Sequence, residues 1–224
     1  MRLRHWCRIT SDGLWKDGRR ILSSEPGRKG VDFLTAAYRA LGVQYPKFFK
    51  MDALSKAGFI AVEVLVGEDE GRDVPREDRA VLMFSSAGCE ANDINYRGTI
   101  ADGNYFPSPA LFVYTLPNVV TGEIAIRNLY RGETSAFVME SFDPAEMVMM
   151  TREAFSDPVT ESAVVGWIDC PDDETLDAVV FLVEAGPSGD EAGAAFTVEA
   201  GPSEDEAGVA FTPEAVRAAY GTGM

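Results

Sequence analysis

The sequence predicts a layered α/β domain with a largely parallel sheet. Three observations lead there. Strand-like and helix-like segments alternate along most of the chain, the pattern that builds parallel sheets with helical crossovers. The run Ala80 to Ser86 (AVLMFSS) is almost continuously apolar, as a strand buried on both faces should be. Between Lys50 and Val66, Leu54, Ala57, Ala61, Val64 and Leu65 recur at helical spacing, so one face of a helix is committed to a core.

Taken in order, residues 5–10 carry β-favouring side chains and precede a turn at Ser11-Asp12-Gly13. A short helix is expected over 31–41 and a longer one over 50–66, stopped by Gly67. A charged loop, 68–79, leads to the buried strand at 80–86. A helix is expected from Asn118 to Leu129, just after Pro117, and a strand from Thr134 to Met139. Asp143-Pro144-Ala145-Glu146 then supplies an N-cap, a proline at the first helical position and an acid in the first turn. That helix should run to about Phe155. Strands at 162–170 and 178–184 follow, joined by a Pro-Asp-Asp loop. Thr212-Pro213-Glu214 opens a last short helix to Tyr220.

The chain has 224 residues, 46% of them hydrophobic, enough for one well-cored domain with a tail. Its formal net charge of −16 argues against nucleic acid and anionic membranes as partners. It also works against capture of an acidic carrier protein, unless basic residues such as Lys47, Lys50, Lys56, Arg127 and Arg131 form a local patch. The alternative is that these are ordinary surface charges. The first residues are basic but have no apolar stretch behind them, so no secretory signal is expected, and no apolar run is long enough to span a bilayer. Cys7, Cys89 and Cys170 are odd in number and lack metal-ligand spacing, so they read as reduced thiols in a cytoplasmic protein with no metal and no cofactor.

Residues 183–212 hold a tandem repeat. Val183 to Thr197 is followed by Val198 to Thr212, with differences only at the seventh and twelfth positions. Two copies are too few for a solenoid and read as a recently duplicated acidic, Gly/Pro-rich segment. The expected organisation is a domain over 1–184, the repeat segment over 185–212, and a short helix and tail over 213–224.

Three segments resemble the β-ketoacyl-acyl-carrier-protein synthases of the thiolase-like superfamily. Pro46-Lys47-Phe48-Phe49-Lys50-Met51-Asp52 is similar to the segment where a Lys/Arg-Met-Asp triplet opens a helix. Ala80 to Ser86 resembles their second core strand. Leu116-Pro117-Asn118, with Gly122, through to Arg127 resembles the helix leading to the strand before the nucleophile. The resemblance covers about residues 45–182. It implies half of a thiolase-like fold, a five-stranded, mostly parallel sheet with flanking helices, with the chain ending where a second half would begin.

The same resemblance places the nucleophilic cysteine of these enzymes at Ser141. Their chemistry needs a thiolate at a helix N-terminus and two histidines. Here the single histidine, His5, falls on the first strand. Ser141 is then either a vestigial or acyl-accepting hydroxyl, or a small residue filling the turn. Cys89 is a weaker candidate for a displaced nucleophile and fits equally a buried free thiol. Asn118 reads as a hydrogen-bonding residue at the entry to its helix. Asp169 and Cys170 sit together at a strand end without a histidine beside them.

Three functions compete. The first is a non-catalytic subunit or modulator in fatty-acid or polyketide-type acyl chain biosynthesis. The second is an acyl-transferring or condensing enzyme completed by a partner chain. The third is a self-associating protein with a small-ligand pocket. In the resembling family the strand before the nucleophile pairs across a dimer two-fold. That implies an interface at Thr134, Ser135, Ala136, Phe137, Val138 and Met139, in a homodimer or a heterodimer with a full-length ketosynthase, with an acyl carrier protein as a further possible partner.

Overall fold

The structure, a computed structural model, describes residues 1–28, 30–67, 72, 74–100, 103, 106–186 and 209–223. Its centre is one sheet, in the order β3-β2-β1-β7-β6-β4-β5, with β8 pairing β1. The strands are β1 (Arg2–Thr10), β2 (Gly13–Lys16), β3 (Arg19–Ser23), β4 (Arg79–Ser85), β5 (Thr134–Val138), β6 (Ser162–Asp169), β7 (Asp177–Glu184) and β8 (Val209–Ala210). The helices are α1 (Gly30–Ala40), α2 (Ala53–Val66), α3 (Glu90–Arg97), α4 (Pro109–Phe112), α5 (Val119–Asn128), α6 (Pro144–Ala154) and α7 (Pro213–Tyr220), with a 3-10 turn at Pro46–Lys50.

Helices cover both faces of the sheet, so the layered α/β expectation holds. The route of the chain explains which helix lies where. From β4 the chain moves outward to β5 through α5, then back past β4 to β6 through α6; both β5 and β6 are parallel to β4. Right-handed crossovers in opposite directions put their helices on opposite faces. Accordingly, Val120 and Ile124 of α5 join α1 and α2 in one core, and Met147 and Val148 of α6 join α7 in the other. All seven residues of β4 are buried, as the apolar run implied.

The sheet is larger and less parallel than the five mostly parallel strands expected. Its pairings through β1, β2, β3, β7 and β8 are antiparallel. The segment between β6 and β7 is too short to hold the crossover helix a parallel pair needs, so the two pair as an antiparallel hairpin. Strands β2 and β3 are additions: a short edge hairpin whose outer strand buries none of its residues. Helices α3 and α4 are also additions. In α2 the first turn begins at Ala53 rather than Lys50, because Pro46–Lys50 closes into a 3-10 turn and the Asp52 side chain caps the helix by accepting the Ser55 N–H at 3.0 Å. The Asp143-Pro144 start of α6 and the Thr212 cap of α7 are as expected. Most of the tandem repeat, 187–208, lies outside the described residues. Among the described residues, no helix is long and apolar enough to cross a membrane.

Candidate functional site

The ends of β4, β5 and β6 meet the start of α2 at one rim of the sheet. Asp169, at the end of β6, organises that rim. Its Oδ1 accepts the Ser85 hydroxyl at 2.8 Å, the Ser86 N–H at 2.7 Å and the Ala87 N–H at 3.2 Å, while Oδ2 accepts the Ser86 hydroxyl at 2.7 Å. The turn after β4 is thereby tied to the neighbouring strand. Gly88 follows with φ +55°, a conformation that favours glycine, and its N–H donates to Ser85 Oγ at 2.8 Å. Asp169 is thus a structural hub, a role that depends on residues 82 to 84 positions away in sequence.

Cys89 begins α3 beside a cleft of about 160 Å³ that Met51, Asp52, Lys56, Asn92 and Cys170 also line. Its thiol donates to the Thr115 carbonyl at 3.0 Å and lies 3.7 Å from Asp93 Oδ2. Burial first, and then the Asp93 carboxylate, push the Cys89 thiol up to about 11. Burial pushes the Cys170 thiol well above its ordinary range too. A nucleophilic thiol needs the opposite environment, one that favours the anion. In the same cleft, burial raises the Asp52 carboxyl and lowers the Lys56 ammonium.

Ser141 lies in the bend between β5 and α6 and is exposed. The start of α6 is already occupied. The Asp143 carboxylate accepts the Ala145 N–H at 2.8 Å and the Glu146 N–H at 3.2 Å. Pro144, at the first helical position, has no N–H to offer. The amide dipoles that would lower a nucleophile's pKa, or hold an oxyanion, face an internal carboxylate instead. No hydrogen bond joins Ser141 to a base among the described residues. His5 sits on β1, four strands from β5, which is about 19 Å across the sheet. Its Nδ1 lies 2.8 Å from Asp17 Oδ2.

The other expected residues separate into structural and surface positions. Lys50 is exposed, Met51 is buried and Asp52 caps α2. Pro117 packs near Gly88. Asn118 opens α5 through its backbone: its carbonyl accepts the Thr121 hydroxyl at 2.8 Å, and its side chain makes no cap. Gly122 has open space where a Cβ would stand, so packing within this chain does not require glycine there.

Three of the five basic residues considered for a patch are drawn into internal contacts. Lys47 Nζ lies 2.8 Å from Glu123 Oε2. Arg127 bonds Glu63 at 2.8 Å and lies over the Tyr45 ring. Lys56 lies over Phe48 beside Asp52. Lys50 and Arg131 remain exposed.

Among the described residues, strand β5 forms one edge of the sheet and pairs only with β4. Phe137 points inward and stacks on Phe84, with ring centroids 4.8 Å apart. Val138 points out and is 60% exposed. Phe112, Val113, Leu116, Ile126 and Leu129, in and next to α4 and α5, are exposed as well. By contrast, α6 exposes only Met149 among its large apolar side chains, and α7 packs alongside it.

No protein-family model matches the sequence, and no curated protein matches it. Solved structures do match. The ishigamide ketosynthase/chain length factor superposes with a TM-score of 0.61 at 12% identity, covering 84% of this chain and 63% of that one. The ketosynthase of Xenorhabdus doucetiae in complex with its chain length factor gives 0.54 at 12% identity, covering 83% and 80%. A type II acyl-carrier protein in complex with its ketosynthase gives 0.51 at 14%, covering 82% and 63%. The chain has the thiolase-like fold of the ketosynthases and chain length factors, and spans less than two thirds of the length of the first and third of these chains.

Proposed function

We propose that this chain is a non-condensing partner subunit of a ketosynthase, of the chain length factor kind, in fatty-acid or polyketide-type acyl chain biosynthesis. The observation that carries the reading is the state of the nucleophile position. Ser141 is exposed, has no base bonded to it among the described residues, and precedes a helix whose N-terminus is filled by Asp143. A serine in such a place has neither the activation nor the oxyanion stabilisation that acyl transfer requires.

Two further facts support it. Val138 is exposed on an open sheet edge, where a second subunit would continue the structure. The coverages in the Xenorhabdus doucetiae match, 83% and 80%, are nearly equal, so the matched chain has close to the length of this one. That structure is a ketosynthase in complex with its chain length factor.

The test is co-expression with a ketosynthase, followed by size determination and a condensation assay on a malonyl-loaded carrier. The expected result is a stable 1:1 complex, condensation that depends on the ketosynthase cysteine, and none from this chain alone. Condensation by the isolated chain, or acyl labelling of Ser141, would overturn the reading.

A further inference from the structure

The chain has five lysines, at positions 16, 29, 47, 50 and 56. Lys56, one turn into α2, is half-buried and lines the cleft that Cys89 borders. Its ammonium lies 5.9 Å from the centre of the Phe48 ring. Among the described residues, no carboxylate lies in ion-pair contact with it. Asp52 and Asp173 act on it from further away and favour its charged form, but burial outweighs them and lowers it. Lys47 and Lys50 have different settings: Lys47 is paired with Glu123 at 2.8 Å, and Lys50 is exposed.

The cleft is built where α1, α2 and α3 meet the loop between β6 and β7. That loop is fastened to the start of α1, since the Asp173 carbonyl accepts the Val31 N–H at 3.1 Å. Val31, Met51, Leu54 and Leu111 give the cleft apolar walls, while Lys56, Asp52 and Asp173 supply an amine and two acids. Its volume, about 160 Å³, is close to that of a cavity known to hold benzene, so it suits a ring-sized molecule. Ser141 does not line it. Position 141 leads into α6, which packs on the face of the sheet opposite α2.

Asp52 is the second half of the arrangement. Its Oδ1 accepts the Ser55 N–H at 3.0 Å, and burial raises its carboxyl. The cap uses one oxygen and leaves Oδ2 to carry a proton. A desolvated amine and a protonated acid one helical turn apart are the two groups that condensation with a carbonyl needs: the free amine attacks, and the acid protonates the oxygen.

We infer that this cleft binds a neutral, ring-sized aldehyde and that Lys56 captures it as an imine, with Asp52 moving the protons. The lone pair of Nζ attacks the carbonyl carbon while the Asp52 carboxyl gives its proton to the carbonyl oxygen. Nζ then returns a proton to the carboxylate, which completes the carbinolamine. A second proton from Asp52 reaches the hydroxyl, the C–O bond breaks and water leaves. The iminium gives its remaining N–H proton back to Asp52. One aldehyde and one amine become one imine and one water, with no oxidant, reductant or metal. The apolar walls select a hydrocarbon body. The two acids beside the amine, in a chain of formal charge −16, select against an anionic carbonyl compound such as a 2-oxo acid.

The experiment incubates the full chain with benzaldehyde and sodium cyanoborohydride near neutral pH. The reductant turns each imine into a stable benzylamine, which peptide mass spectrometry then assigns to a lysine. Lys56 should be benzylated about tenfold or more faster than the exposed Lys50, and urea should abolish the preference. K56R should remove the fast reaction and leave Lys50 unchanged. D52N keeps the helix cap, because asparagine caps as well as aspartate. Removing a negative charge beside the amine would by itself free more of it and speed the reaction, whereas losing the proton donor slows it. D52N should therefore slow Lys56 about tenfold or more relative to Lys50. Pyruvate, the anionic probe, should show a smaller preference for Lys56 over Lys50 than benzaldehyde does. Benzylation of Lys56 no faster than that of Lys50 overturns the inference. An equal or faster reaction in D52N overturns the part given to Asp52, and a larger preference with pyruvate overturns the class of ligand.

Discussion

Ser85 and Asp169, 84 residues apart, join β4 to β6 through a hydroxyl–carboxylate hydrogen bond of 2.8 Å. The same carboxylate holds the turn after β4 through Ser86 and Ala87, so one side chain sets where α3 begins and where Cys89 and Gly88 stand. Removing it leaves four donors without their acceptor. Hydrogen bonds to a charged acceptor contribute more than neutral ones, but Ser86 is exposed and water can replace part of the loss. Asp169→Ala should cost about 2–3 kcal/mol in urea denaturation, and Asp169→Asn should recover part of it. An Asp169→Ala chain as stable as wild type would show that the turn holds itself.

The parts of the fold that were legible in the sequence are those with local signals. The apolar run of β4 and the cap-proline pair of α6 are each contained within a few residues, and both form as expected. Helix α3 had no such signal: it buries only Asn92 among its residues, so there is no apolar stripe to detect. The β2–β3 hairpin did carry one, the Asp17-Gly18 pair, which a search confined to apolar periodicity passes over because β3 is Arg-rich. The pairing of β1 with β7 joins residues about 170 positions apart and leaves no local trace. The site divides in the same way. That Ser141 falls in a turn between a strand and a helix was legible from the segments on either side, whereas the hub role of Asp169 exists only once β4 and β6 are side by side.

Alkaline pH should unfold this chain earlier than its acidity alone suggests. Burial raises the thiols of Cys7, Cys89 and Cys170, and burial followed by a neighbouring carboxylate raises the phenols of Tyr114 and Tyr220. Each group holds its proton more tightly folded than unfolded. Above the ordinary thiol value of 9.0, the folded state therefore binds more protons than the unfolded state, and stability falls as pH rises. Lys56 and the Met1 amine are lowered and act in the opposite sense, but they are two groups against five. Urea midpoints should hold steady to about pH 9 and decline from there toward 11. A midpoint that stayed flat or rose between pH 9 and 10.5 would contradict the burial of these groups.

Ser141→Cys should give an ordinary thiol rather than an activated one. Helix N-termini lower thiol pKa values by presenting free N–H groups, and here Asp143 occupies them with a negative charge of its own. The rate of iodoacetamide alkylation at position 141 should therefore rise with a midpoint at or above about 8.5, and the variant should not condense acyl chains. Because Cys7, Cys89 and Cys170 are buried, the new thiol can be followed selectively in the folded protein. A midpoint below about 7 would mean that the start of α6 acts on position 141 after all.

Val138→Asp separates association from folding. Val138 is 60% exposed on an edge strand that pairs with β4, so its side chain contributes little to either core. Aspartate is a poor strand former, and the expected cost to folding is at most about 1 kcal/mol. At an apolar interface the same change buries an unpaired carboxylate, which is far more costly. Affinity for a ketosynthase partner, or for a second copy of this chain, should fall at least about tenfold in titration calorimetry. Val159→Asp alters a valine of similar exposure, 53%, in the loop before β6, and should leave association unchanged. If Val138→Asp binds as tightly as wild type, or if Val159→Asp weakens binding equally, the partner surface is not the β5 edge.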